Sequence, residues 1–168
     1  MTTLWYRPGS RKNVDRTADP YIPRKGAPSV AVCPFCHIIC RKKRWYVDEP
    51  EAAALLRAGV PSRRCPACRK IVDRFPCGVL TLSGRYLRIH RDEILKIARN
   101  EERRARGVNP LERIMEIRAQ ADRVEVLTTE AKLAQRIGRE IHKAYQGVVA
   151  YKWSEDADLL RVTWVRDR

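Results

Sequence analysis

Cysteines 33, 36, 65 and 68 form two Cys-Pro-x-Cys pairs, CPFC and CPAC, with 28 residues between them. Such a pair offers two sulfur ligands from a single tight turn. One pair alone reads equally as a redox dithiol of the thioredoxin kind, as half of a metal site, or as buried thiol. Two pairs within 36 residues, in a segment with little apolar mass, point instead to two knuckles closing a sulfur tetrahedron around one structural zinc ion. The six cysteines fit metal or core roles better than disulfides in a reducing compartment. Cys40 and Cys77 read as small buried side chains. His37 directly follows the first knuckle. With four sulfurs completing the shell, it reads as a local hydrogen-bond donor or, when charged, a phosphate contact.

Chemistry beyond metal binding finds no support. The chain has no Gly-rich phosphate loop, no G-x-S-x-G and no framed carboxylate pair. Asp48, Glu49 and Glu51 cluster at a helix start, where the dipole accounts for them. No catalytic residues and no small-molecule substrate are expected.

The elements that must position the cysteines are short. VAV (30–32) and RWYV (44–47) read as strands. Asp48 and Pro50 open a helix that Gly59 closes. VLTLSG follows the second pair as a strand ending in a turn. From about residue 89, HRDEILKIARNEERRARG shows helical spacing, with Asp92 and Glu93 in the first turn, Arg103, Arg104 and Arg106 in the last, and His90 at its start. NPLERIMEIRAQ reads as a second helix, with Asn109 as N-cap, Pro110 first and Glu112 at the capping-box position. RVEVLT (123–128) alternates as a strand. Thr129 caps a helix to Gln146 with Ala131, Ala134, Ile137, Gly138, Ile141 and Tyr145 inward, and Gly147 stops it. VVAYKW (148–153) and LLRVTWVR (159–166) form a hairpin with Tyr151, Trp153, Leu160, Val162 and Trp164 toward the core.

The expected class is α+β, in four parts: a basic flexible arm at 1–28, a zinc-ribbon-like module at 29–84, a helical connector at 85–121, and a small β-α-β-β domain at 122–168. The arm holds Trp5, Tyr6 and Tyr21, which either stack on a partner's bases or tie the arm to the module.

Charge sets the partner. The chain carries 35 basic against 20 acidic residues, net +15, with 26 arginines. Residues 1–80 hold 16 basic and 6 acidic side chains, net +10, so the field is concentrated on the arm and module. A polyanion is the expected partner, since such a field gathers phosphate and releases its counterions. Arg41, Lys42, Lys43 and Arg44 follow the first knuckle, while Arg63, Arg64, Arg69 and Lys70 bracket the second. Lys152 and Arg161 add to the outer face of the last hairpin. All ten are the expected nucleic-acid contacts, with Trp45 and Tyr46 interleaved. No apolar run reaches the roughly 20 residues of a membrane span, and a cytoplasmic protein without membrane contact is expected.

DPYIPRKG, CPFC…CPACRKIVDRFPCGVLTLSG, HRDEILKIARNEE, PLERIMEI and LTTEAKLAQRIGREIHKAYQG…RVTW together resemble an uncharacterised family of bacterial zinc-ribbon proteins, over nearly all of residues 19–165. More distantly, the knuckle pair and the C-terminal pattern are similar to the adaptor, named after nonsense-mediated decay, that accompanies the large ribosomal subunit in archaea and eukaryotes. The resemblance places Cys33, Cys36, Cys65 and Cys68 as ligands and implies contact with the ribosome or rRNA, in assembly, storage or stress. In the family a glycine usually follows the first knuckle, where this chain has His37. The adaptor's additional zinc-binding cysteines and domains are missing here, so its export role does not carry over. The leading expectation is a non-enzymatic zinc-containing RNA-binding protein. The alternatives are a DNA-binding regulator and a protein-interaction adaptor built on the zinc module.

Overall fold

The computed structural model describes residues 20–21, 28–154 and 158–168. The arm residues Trp5 and Tyr6, and the bulk of residues 1–28, lie outside the described residues, as does the middle of the last hairpin's loop. Two sheets organise the rest, and each follows from a different kind of sequence.

The smaller sheet is built from three-residue strands. β1 (Val30–Val32), β2 (Ile39–Arg41) and β3 (Arg44–Tyr46) pair antiparallel in that order. β2 had no sequence signal, because ICR is too short to show alternation. Helix α1 (Glu49–Arg57) follows, capped by the Asp48 carboxylate accepting from Glu51 N–H at 2.9 Å. Gly59, at φ 71°, ends it as expected. The returning chain runs beside β1, where Val32 N–H donates to Pro61 O and Arg63 N–H to Val32 O. That backbone lane delivers Cys65 to Cys33, and helix α2 (Pro66–Val72) begins there.

The larger sheet has the order β5-β6-β4-β8-β7, formed by β4 (Gly78–Ser83), β5 (Ile114–Ala119), β6 (Arg123–Thr128), β7 (Val148–Trp153) and β8 (Leu160–Val165). β4 lies parallel to β8, and the other pairs are antiparallel. Helices α3 (Arg85–Val108) and α4 (Ala131–Tyr145) share the core with one face of this sheet. Period-2 alternation turns Leu80, Leu82, Val124, Val126, Leu160, Val162 and Trp164 toward them, all buried. Gly138 lets α4 approach closely, since a Cβ there would stand 2.7 Å from Val162 Cγ1. The Trp164 indole donates to Gln146 O at 2.7 Å, which satisfies its polar edge inside the core. The predicted inward positions of α4 and the hairpin hold, with Tyr151 and Trp153 only partly covered, and Leu133 joins them.

Four expectations are corrected. Residues 109–120 form no second helix but a turn and then strand β5, so there is no helical pair at 85–121. Asn109 instead ends α3, and its carboxamide oxygen accepts locally from Leu111 N–H. The amides a helix would use go elsewhere: Arg113 N–H donates to Thr129 Oγ1 at 2.9 Å and Ile114 N–H to the Glu102 carboxylate at 2.9 Å. β4 belongs with β6 and β8, so the metal module ends before it, and the last domain is five-stranded rather than β-α-β-β. α3 starts at Arg85, with non-helical angles at His90. Asp92 and Glu93 thus occupy the first turn after this kink, and the Glu93 carboxylate meets His90 Nδ1 at 3.0 Å. Finally, Glu130 rather than Thr129 precedes α4 as N-cap, because the Thr129 hydroxyl donates to Leu111 O at 2.6 Å. Among the described residues no helix is long and apolar enough to cross a membrane.

Candidate metal centre and its basic surround

The two knuckles are shaped by their own backbone. His37 N–H donates to Cys33 O, and Cys33 N–H to Ile38 O, closing the first turn. His37 completes it at φ 58°, in the left-handed region that favours glycine. That position explains the glycine expected there, and it leaves the imidazole exposed, away from the sulfur shell. In the second knuckle Cys65 is the N-cap of α2, its Sγ accepting from Cys68 N–H at 3.3 Å. Cys65 N–H in turn points at Cys33 Sγ, 3.4 Å away.

These turns bring the Sγ atoms of Cys33, Cys36, Cys65 and Cys68 all within 4.8 Å of one another. Cys36 and Cys65 stand 3.7 Å apart at sulfur. A tetrahedral site with Zn–S bonds of about 2.3 Å has edges of about 3.8 Å, so the spacing fits. None of the six cysteines forms a disulfide. Cys40 and Cys77 are buried outside the cluster, as expected.

The electrostatics of the thiols also favour a cation. Hydrogen bonds from Cys36 and then Cys65 hold the Cys33 thiol far below its usual range. Its neighbour Cys65 is driven far above, by the bonds with Cys33 and Cys36 and by burial. Burial leads the shift of Cys68, pushed up to about 11. Thiols this close cannot all ionise alone, whereas a divalent ion takes all four as thiolates. The donor set is four soft sulfurs, three of them on buried cysteines, which suits a structural zinc ion.

Arg113 is the residue beside the cysteine cluster that the sequence did not disclose. The residue is 8 % exposed, and its NH1 lies 3.6 Å from Cys68 Sγ. Nε donates to Pro110 O, while NH2 is buried without a hydrogen-bond partner. Desolvation opposes the charge, yet the nearby sulfurs Cys36, Cys65 and Cys68 hold its pKa above the usual value. Four thiolates around a dication would carry a net −2, and Arg113 brings +1 from the strand domain, offsetting half of it. No spacing rule marks it; Thr129 and β5 place it.

The ten predicted contacts divide into groups. Lys42, Lys43 and Arg44 are exposed, with both lysines at positive φ (49° and 66°) in the turn between β2 and β3. Of this basic run, only Arg41 is ion-paired among the described residues, to Glu51 at 2.5 Å. Arg63 lies over the Trp45 ring at 5.5 Å and Arg64 over Phe35 at 4.3 Å. Arg69 lies over Tyr21, whose hydroxyl donates to Asp73 at 3.1 Å, so Tyr21 is tied onto the module. Lys70 is a correction. It is 7 % exposed and donates to Thr129 O at 2.9 Å and Glu130 at 2.7 Å, locking the module to the strand domain instead of facing a partner. Lys152 and Arg161 are register partners on the sheet's uncovered face, with Arg161 donating to Ser154 Oγ.

Compared with protein-family models, curated proteins and solved structures, the chain matches none.

Proposed function

We propose that this is a non-enzymatic RNA-binding protein, ordered by one structural zinc ion, that associates with the ribosome or rRNA. The observation that supports it is the exposed basic turn Lys42-Lys43-Arg44 at one end of β2, together with Arg64 laid over the 58 %-exposed Phe35 ring of the knuckle at the other end. Guanidinium and aromatic faces together suit phosphates and unpaired bases, and the net charge of +15 supplies the attraction. Lys152 and Arg161 extend the basic surface on the open sheet. The resemblance to ribosome-associated zinc proteins gives the ribosome as the partner to test first. Co-sedimentation with ribosomal subunits at low salt, weakening steeply as salt rises, is the expected result. Absence from every ribosomal fraction at low salt sinks the reading.

A protein-interaction role has its own support in Phe35, Val72 and Phe75, 58 %, 55 % and 45 % exposed. Charge reversal of Arg41–Arg44 separates the two, because a protein partner held by these apolar groups survives it. The DNA-regulator reading weakens, since α2 has seven residues, begins with the metal ligands and buries Lys70.

A further inference from the structure

A groove of about 570 Å³ runs between the metal module and the long helix α3. One wall is β3, through Trp45 and Tyr46. The other is Arg99, Arg103 and Arg106, at helical spacing i, i+4, i+7 and so on one face. The three cover about 10 Å of helix axis at 1.5 Å per residue. In the sequence Arg103 and Arg106 look like charges placed to suit a helix C-terminus, and Arg99 carries no signal of its own. In the fold they confront an aromatic wall supplied by another part of the chain.

We propose that this groove takes a segment of single-stranded RNA, with the arginines on its phosphates and an unpaired base against Trp45. The proposal rests on the RNA-binding reading and deepens it, by naming the strand state and the slot. Aromatic walls reward bases whose faces are free, and a duplex keeps its base faces stacked. Arg103 donates to the neutral Asn100 carboxamide at 3.2 Å, so its charge remains available to phosphate. The groove's carboxylate, Glu102, is engaged by Ile114 N–H at 2.9 Å. Arg63, over the Trp45 ring at 5.5 Å, adds a further cation beside the aromatic wall. An acidic protein segment could meet the arginines equally well, yet it would leave the Trp45 ring without a planar partner. Because its walls come from separate regions, the groove needs the module docked, and the metal centre with Arg113 and Lys70 holds that dock.

The test is fluorescence anisotropy on the full chain, with a labelled 12-nucleotide oligouridylate, a duplex RNA of the same length and polyglutamate as probes. The variants are the triple Arg99→Gln/Arg103→Gln/Arg106→Gln and the double Lys42→Gln/Lys43→Gln. We expect the single strand to bind more tightly than duplex or polyglutamate. The triple variant weakens it about tenfold or more and flattens the salt slope by about two. Ultraviolet crosslinks from the oligouridylate are expected at Trp45 or Tyr46. These arginines are exposed, so the triple variant keeps its zinc content and melting temperature. If the triple variant binds normally and only the lysine variant fails, RNA binding stands and the groove assignment falls. Preference for duplex or equal binding of polyglutamate also overturns the groove. No binding of either RNA by the unmodified protein at low salt overturns both.

Discussion

The two sheets of this protein are held together by different physics. The five-stranded region buries sixteen hydrophobic residues in one cluster, from Leu80 to Trp164. The three-stranded region splits its smaller core in two, five buried residues around the sulfurs, three of them cysteines, and Val32, Ile39 and Ala52 beside α1. Burying a large aliphatic or aromatic side chain contributes about 1.5–3 kcal/mol, so the larger cluster is enough to order its sheet. The smaller one is not. Its strands are three residues long, and a metal ion held by the four cysteines would supply the order that apolar area cannot. One region is therefore general in chemistry and specific in packing, and the other is the reverse.

Removing the metal gives the widest separation between the two. Structural zinc contributes on the order of 10–16 kcal/mol of apparent binding energy. Cys65→Ser, or chelation, should abolish amide protection across residues 30–72 while the five-stranded region stays protected, as read by hydrogen exchange. Equal loss in both would mean a single cooperative unit. The reverse cut is Trp164→Ala, expected to cost about 3–5 kcal/mol in denaturant unfolding while native protein keeps its zinc.

The contacts between the regions come next. Arg113→Met should lower zinc affinity about 10–100-fold in chelator competition, because the tetrathiolate loses its nearby cation. An unchanged affinity would leave Arg113 with a packing role alone. Glu130→Gln should cost about 1–3 kcal/mol at neutral pH by stripping Lys70 of its ion pair. The pH sign follows from Lys70. Burial works against its ammonium, but Glu130 and, to a lesser degree, Cys77 together outweigh that, and the pKa is raised above the ordinary 10.5. The contribution is thus present in full below 10.5 and is lost as pH rises through the raised value. Alkaline titration of the Glu130→Gln variant should lack that step.

The smallest effect has two opposite signs. Lys42 and Lys43 occupy a two-residue turn with both φ positive, where Asn-Gly is preferred. Lys42→Asn with Lys43→Gly should stabilise the module by about 1–2 kcal/mol while weakening RNA binding. A variant gaining stability without losing RNA would show that the lysines have no part in binding.

The cysteine site was legible because ligand chemistry is written in local spacing: a C-x2-C turn needs only its own four residues. Asp48, Gly59 and the α4 face were legible for the same reason. Residues 109–120 misled because Asn109, Pro110 and Glu112 satisfy every local rule for a helix start. What overrides them is long-range, in Thr129 and Glu102 taking the amides of Arg113 and Ile114. Lys70 looked like its neighbour Arg69 in the sequence, and only the approach of Glu130 separates their roles. Arg103 and Arg106 had a sufficient local explanation as helix-end charges, which concealed the wall they face together with Arg99.

The parallel pairing of β4 with β8 has a consequence in time. Leu80 in the middle strand waits for Val162, some eighty residues downstream, before its second edge is filled. The knuckles, by contrast, need only residues 33 to 68. On a chain emerging at about 5–20 residues per second, the metal module can capture its ion several seconds before the larger sheet can close. Slow, non-local closure of that kind exposes strand edges meanwhile. The last-made strand thus sets when the protein becomes whole, and pulse-labelled hydrogen exchange during refolding should show the module protected first.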